Sequence, residues 1–123
     1  MDKTEIVKTL MCTQKEYGIV ETLHTFFGSN IKTRIPFSKS ACEMSVDELV
    51  LSVRGYNALR RAGILTIGDL IKRLNAGDVK SIRNLGMKSY SEIQTKILDF
   101  GFERLSEKEK SEFFWYLLEN NAV

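Results

Sequence analysis

A chain of 123 residues, 43% hydrophobic and 28% charged, has the balance of a soluble globular protein and room for one domain, or for one small domain plus an extension. Its formal charge of +2 excludes strong overall attraction to a polyanion, so the distribution of charge matters more than the total. Residues 1–44 carry 6 basic and 5 acidic groups, residues 45–101 carry 9 and 6, and residues 102–123 carry 3 and 5, so the middle segment is the basic one and the tail is acidic. Cys12 and Cys42 are too few, and too unlike a metal spacing, for a disulfide framework or a zinc site. They read as two reduced thiols of an intracellular protein, with a bridge between them left open. The opening Met1-Asp2-Lys3-Thr4-Glu5 is charged with no apolar run behind it, and the longest apolar stretch, Phe113 to Leu118, is far short of a membrane span. The expectation is a cytoplasmic protein without a secretory leader, membrane contact, metal or cofactor.

Residues 3–12 predict a short amphipathic helix with Ile6, Val7 and Leu10 on one side. Thr13-Gln14-Lys15-Glu16 has the capping-box pattern, so a second helix is expected to begin there and to end at Gly28, with Ile19, Val20, Leu23, Phe26 and Phe27 as its stripe. Ile31, Ile35 and Phe37 then alternate with Lys32 and Arg34, which predicts an extended segment or an edge strand, and Pro36 fits such an irregular path. Ser38 to Glu43 is a polar connector. The boundaries expected are therefore a helical extension over 1–44, a domain over 45–101 and a tail helix over 102–123.

Within the middle segment, Ser52 can cap a helix from Val53 to Ala62, with Gly63 as its stop and Leu59, Ile64 and Leu65 facing the core. Thr66 caps a second helix whose core residues are Ile67, Leu70, Ile71 and Leu74. Asn75-Ala76-Gly77-Asp78 restarts a short third helix through Val79 and Ile82. The loop Arg83 to Met87 leads to a fourth, with capping-box-like Ser89-Tyr90-Ser91-Glu92 at its start and Ile93, Ile97 and Leu98 inward. Ser106-Glu107-Lys108-Glu109 caps the tail helix bearing Phe113, Phe114, Leu117 and Leu118.

Two of these helix openings carry the chemistry. A helix start is an anion site, because its first N–H groups lack intrahelical partners and the macrodipole is positive there. At the first opening Arg54 and Asn57 are three residues apart and share a face. Arginine suits a narrow negative minor groove or a bidentate phosphate contact, and asparagine both donates and accepts. Gly55 inside that helix costs on the order of 1 kcal/mol relative to alanine, which suggests that something approaches it closely. At the second opening Gly86 permits a left-handed backbone, Lys88 adds a point charge, and the Ser89 hydroxyl can cap the helix or bind an oxyanion. Glu92 can pair with Lys88, or orient Arg54 if the openings face each other. The plainer account is ordinary capping at a Gly-Lys-Ser helix start, with Arg54 and Asn57 as solvated surface residues. A phosphate-binding nucleotide loop is discounted, because the required earlier glycine is missing at its spacing.

The stretch Glu48-Leu49-Val50-Leu51-Ser52-Val53-Arg54-Gly55-Tyr56-Asn57-Ala58-Leu59-Arg60-Arg61-Ala62-Gly63-Ile64, with Thr66-Ile67-Gly68-Asp69-Leu70 and Ile82-Arg83-Asn84-Leu85-Gly86-Met87-Lys88-Ser89 running on to Glu92-Ile93, resembles the C-terminal domain of the bacterial RNA polymerase alpha subunit over about residues 46–101. The resemblance implies an all-α fold, a compact bundle related to helix-hairpin-helix modules, with helical extensions before and after it. It also implies binding to A·T-rich promoter DNA in the minor groove, and docking onto activators. Position by position, it assigns DNA contact to Arg54 as the minor-groove arginine, to Asn57, Lys88 and Ser89 on sugar-phosphate, to the backbone near Gly86, and to Glu92 in support. Three departures stand out: Met87 where the family usually has a basic residue, Gly55 for the usual serine, and Ala58 for a frequent cysteine. Residues 1–44 read as folded rather than as a linker, and the assembly domain of a complete alpha subunit is not visible, so the expectation is a protein that does not nucleate polymerase assembly.

His24, the single histidine, lies among Leu23, Phe26 and Phe27 and reads as a packed or surface residue. The Phe113–Leu118 run is apolar all round, so it either closes a core or offers a partner surface anchored by Trp115 and Tyr116. No carboxylate pair, metal cluster or nucleophile–base set can be assembled, so an enzyme is not expected. The leading expectation is a freestanding DNA-binding protein of transcription. The rivals are an adaptor docking on RNA polymerase, sigma factor or an activator, and a helix-hairpin-helix accessory of DNA repair or recombination.

Overall fold

The computed structural model describes residues 2–28 and 36–121, and among them every regular element is helical. In chain order these are α1 (Lys3–Tyr17), α2 (Ile19–Phe27), α3 (Lys39–Cys42), a 3-10 turn (Val46–Leu49), α4 (Val53–Arg61), α5 (Ile67–Ala76), a second 3-10 turn (Val79–Ser81), α6 (Gly86–Glu103) and α7 (Glu107–Asn120). The expected extended segment lies outside the described residues except for Pro36 and Phe37. The chain forms two compact units, one of Met1–Pro36 with Leu98–Val123 and one of Phe37–Ile97. The expected division into three consecutive pieces keeps the two ends apart, whereas α1 packs on both α2 and α7.

In the first unit the helix break falls at Gly18, not at Thr13. Asp2 accepts from the Glu5 N–H at 3.0 Å and starts α1. The Thr9 and Thr13 hydroxyls donate back to the carbonyls of Glu5 and Thr9, four residues earlier, so the capping-box pattern at Thr13 is not used and α1 runs through it. Gly18, at φ 86° and ψ 163°, takes a conformation that only glycine adopts cheaply, and this is where the chain turns into α2. The core of this unit is Val7, Leu10, Ile19, Leu23, Phe102, Leu105, Phe113, Phe114, Leu117 and Leu118. Phe102, Phe113 and Phe114 meet tilted or edge-on, with centroids 5.6 to 5.7 Å apart, an arrangement favoured by the ring quadrupoles. The aromatic run of α7 therefore closes a core through Phe113, Phe114, Leu117 and Leu118. Trp115 is half-buried against that core, and Tyr116 remains 41% exposed.

In the second unit Ala41, Val46, Leu49, Ala58, Leu59, Ile64, Ile67, Leu70, Val79, Leu85, Ile93 and Ile97 are buried. Leu65, expected inward, is 54% exposed. It lies in the turn joining α4 to α5, where its carbonyl accepts from Val46 N–H at 3.0 Å, so backbone pairing with the Ser45 segment fixes its position. α4 and α5 end alike. Gly63 N–H donates to Arg60 and Ile64 N–H to Leu59, as Gly77 N–H donates to Leu74 and Asp78 N–H to Arg73, which satisfies carbonyls left open by the helix ends. Beyond Gly77 the expected short third helix is reduced to the 3-10 turn Val79–Ser81.

α5 begins with a complete capping box between Thr66 and Asp69, and Gly68 in its first turn lets α3 approach. A Cβ at Gly68 would lie 3.1 Å from the Cys42 carbonyl oxygen and 3.2 Å from its Cβ. Backbone yields less readily than a flexible side chain, so Gly68→Ala is expected to destabilise the unit by about 1–3 kcal/mol, as overpacking does, with the measurement by denaturant unfolding. Hydrogen bonds with Thr66, and a weaker one from Leu65 N–H, hold the Asp69 carboxyl below its usual range. A carboxyl with a lowered folded pKa contributes stability at pH values above its unfolded pKa, about 3.9, and that contribution is lost as the pH falls through the folded value. The melting temperature of Asp69→Asn should therefore fall less steeply than that of the native protein when the pH drops below about 4.

Candidate nucleic-acid interface

The two helix openings lie side by side within the Phe37–Ile97 unit. Arg54, in the first turn of α4, is exposed, and its Nε donates to the carbonyl of Asn84 at 3.4 Å. Its Nη2 lies 3.9 Å from the position a Cβ on Gly86 would occupy. The guanidinium thus rests along the hairpin that leads into α6. That hairpin has an unusual backbone: Asn84 at φ 65° and Gly86 at φ 76° are both left-handed, on either side of the buried Leu85. Asparagine and glycine are the residues that tolerate this region, and burial of Leu85 anchors the turn between them.

Glu92, one turn and a half into α6, braces the other side. Its Oε1 accepts from the backbone N–H of Ser52 at 3.1 Å and from the Ser52 hydroxyl at 2.9 Å, while Ser52 Oγ accepts from Gly55 N–H at 3.3 Å. Glu92 is therefore tied to the start of α4 and pairs with neither Lys88 nor Arg54. A carboxylate at that place is favoured by the unpaired N–H groups and by the positive end of the helix. The absent side chain at Gly55 leaves room for this, because a Cβ there would lie 3.2 Å from Glu92 Oε1. The close approach expected at Gly55 is thus made by the protein's own carboxylate.

α6 begins at Gly86, three residues before the expected cap at Ser89. Ser89 consequently sits inside the first turn and is only 7% exposed. Asn57, Met87 and Lys88 are exposed, and Met87 occupies the position where the resemblance expects a basic side chain. Neither Arg54 nor Lys88 belongs to an ion pair among the described residues. The outward set is therefore Arg54, Asn57 and Lys88 with the Gly86 backbone, and Ser52 and Glu92 form the brace. Trp115 and Tyr116 belong to the other unit. Sequence reasoning gives Asn84 no part in the site. A signal is nevertheless present, since an asparagine ahead of Leu-Gly in a loop is a good candidate for a left-handed residue whose carbonyl faces outward. Among the described residues no group of three or more histidine, cysteine or acidic side chains comes together to hold a metal, and no helix is long and apolar enough to cross a membrane.

Fold and site together define a small all-helical domain that presents a basic corner formed from two helix openings. Residues 35–99, more than half of the sequence, match the family of the C-terminal domain of the bacterial RNA polymerase alpha chain, and the protein belongs to that family. It is similar to the DNA-directed RNA polymerase subunit alpha of Malacoplasma penetrans, at 50% identity over 70 residues, which is 57% of this chain and 21% of that protein. It is also similar to the subunit of the same name from Carboxydothermus hydrogenoformans, at 46% over 67 residues (54% of this chain, 21% of that protein), and from Limosilactobacillus reuteri, at 51% over 59 residues (48% and 18%). The match spans about a fifth of the length of these curated relatives. No solved structure matches it.

Glu92→Ala removes the acceptor of both Ser52 groups and should cost about 1–2 kcal/mol, as loss of a helix cap does, with faster amide exchange at Ser52 and Gly55. Glu92→Gln retains an oxygen acceptor and should cost less; equal losses in the two variants would show that charge, not hydrogen bonding, holds the brace.

Proposed function

We propose that the protein is a non-enzymatic, DNA-binding member of the transcription machinery, gripping the minor groove and backbone of A·T-rich duplex through its two helix openings. The observation that carries this reading is the placement of exposed Arg54 against the Asn84–Gly86 hairpin, without a carboxylate partner among the described residues. Family membership supports it, as does the name of the relatives, subunits of a DNA-directed RNA polymerase. The chemistry fits as well. Arginine is drawn to the narrow, strongly negative minor groove of A-tracts, and there it reads groove shape rather than a base pattern. Asn57 and Lys88, both exposed, add a donor–acceptor pair and a point charge for sugar-phosphate, and the start of α6 adds N–H groups suited to an anion. Partners on the protein side are RNA polymerase, sigma factor or an activator. In this reading Ser52 and Glu92 act by holding α4 and α6 together, and Ser89 acts from within the first turn of α6.

With only about three to five phosphates neutralised, one such module binds weakly and with a salt slope of about −3 to −4.5 on a log–log plot. Arg54→Ala should nearly abolish binding to an A·T-rich duplex in fluorescence anisotropy, with helicity by circular dichroism unchanged. Undiminished binding by that variant would remove Arg54 from the interface.

A further inference from the structure

A cleft of about 430 Å³ opens beside the hairpin, lined by Ala58, Arg61 and Ala62 of α4 and its C-terminal cap, Arg73 of α5, and Ile82, Arg83 and Asn84 of the hairpin. Three of these seven residues are arginines and none is acidic. Arg73 is already engaged, its Nε 2.7 Å from Asp78 Oδ1. Arg61 and Arg83 are exposed and belong to no ion pair among the described residues. Arg61 alone could be explained as a cation favoured at the end of a helix. That account does not extend to Arg83, which lies in the loop before α6, nor to the presence of both in the lining of one cleft beside Ala62 and Ile82.

We infer that this cleft is a second anion subsite, taking a backbone phosphate of the same duplex that Arg54 engages. The inference rests on the DNA-binding reading and extends it. Two observations favour a phosphate of that duplex over another anion. Asn84 belongs to both places: its carbonyl accepts from Arg54, and it lines the cleft. Moreover Arg54 and Arg61, both exposed, are seven residues apart on α4 and share one face, about 10 Å apart along the helix axis. A polyanion lying along that face meets the minor-groove arginine at one end of α4 and the cleft at the other. Planar guanidinium groups match phosphate oxygens in pairs, so two arginines converging on one cleft suit this ligand better than two lysines would.

The test is fluorescence anisotropy with the full-length protein on an A·T-rich and a G·C-rich duplex over a salt series. The variants are Arg61→Ala/Arg83→Ala and a control of equal charge change outside the cleft, Lys72→Ala/Lys80→Ala. The arginine variant should bind both duplexes more weakly by a similar factor, and its salt slope should be shallower by about 0.9 for each phosphate no longer neutralised. The lysine variant should keep the native slope. If folding of the alanine variant fails by circular dichroism, Arg61→Gln/Arg83→Gln, which keeps polar side chains of comparable reach, gives the same readout. A native slope in the arginine variant, or an equal change in the lysine variant, overturns the subsite while leaving the Arg54 reading intact. Failure of the native protein to bind either duplex overturns both. Capture of poly-glutamate by the native protein, abolished in the arginine variant while its DNA slope stays native, would assign the cleft to an acidic protein segment and overturn the phosphate assignment.

Discussion

The Glu92 carboxylate holds the two helix openings together. It belongs to α6 but satisfies the start of α4, 40 residues earlier in the sequence, by accepting from both the N–H and the hydroxyl of Ser52. Ser52 passes the interaction on, because its oxygen accepts from Gly55. A helix start must find acceptors for its first N–H groups, and a fixed internal anion meets that need better than water does. A Cβ at residue 55 would press on the Glu92 carboxylate at 3.2 Å, so the bare Cα gives the brace room, at a position where glycine's intrinsic cost is on the order of 1 kcal/mol. The basic corner follows from the brace: once α4 and α6 are tied at Ser52, the side chain of Arg54 reaches the Asn84 carbonyl.

This arrangement also decides which charges face outward unpaired. Glu92 could have neutralised Lys88, four residues before it on the same helix, a spacing at which opposite charges commonly meet. Its engagement with Ser52 leaves Lys88 and Arg54 without a carboxylate partner among the described residues. Some other basic side chains are engaged internally: Arg73 with Asp78, Arg60 with the Tyr56 hydroxyl and ring, Lys110 with Glu107. In a protein with a net charge of only +2, a polyanion is drawn by local groups left without internal partners, not by the total. Arg54, Lys88, Arg61 and Arg83 are among such groups, and these four lie in the Phe37–Ile97 unit.

Much of the fold is legible because punctuation in the sequence is chemically specific. Ser52, Thr66 and Ser106 are readable as caps, Gly63 as a stop, and each acts so. The capping pattern at Thr13 is a false signal, because a threonine hydroxyl can as easily bond back to the carbonyl four residues before it, and only the residues beyond decide between the two. The start of α6 is misplaced by the pattern for a related reason. Ser89 looks like a cap, but burial of Leu85 between two left-handed residues starts the helix earlier, and burial is a tertiary property that short-range patterns do not carry. Arg54, Asn57 and Lys88 are recognisable as outward chemistry. The partner of Glu92 is not, since nothing in residue type distinguishes a carboxylate that reaches Ser52 from one that reaches Lys88.

The aromatic run of α7 shows how locally the site is built. Six consecutive apolar residues suggest a core or a docking face, and α7 divides them: Phe113, Phe114, Leu117 and Leu118 enter a core made with α1, α2, Phe102 and Leu105. The basic corner draws on none of these. Arg54, its support at Asn84, the brace of Ser52 and Glu92, and the buried neighbours Leu59, Leu85 and Ile93 all fall within Phe37–Ile97. That unit also falls within the residues matched by the family, 35–99. The family's similarity therefore coincides with the segment that contains the corner and its hydrogen-bonded supports, Ser52 with Glu92, Gly55 with Ser52 and Arg54 with Asn84, each of them made between two residues of that segment.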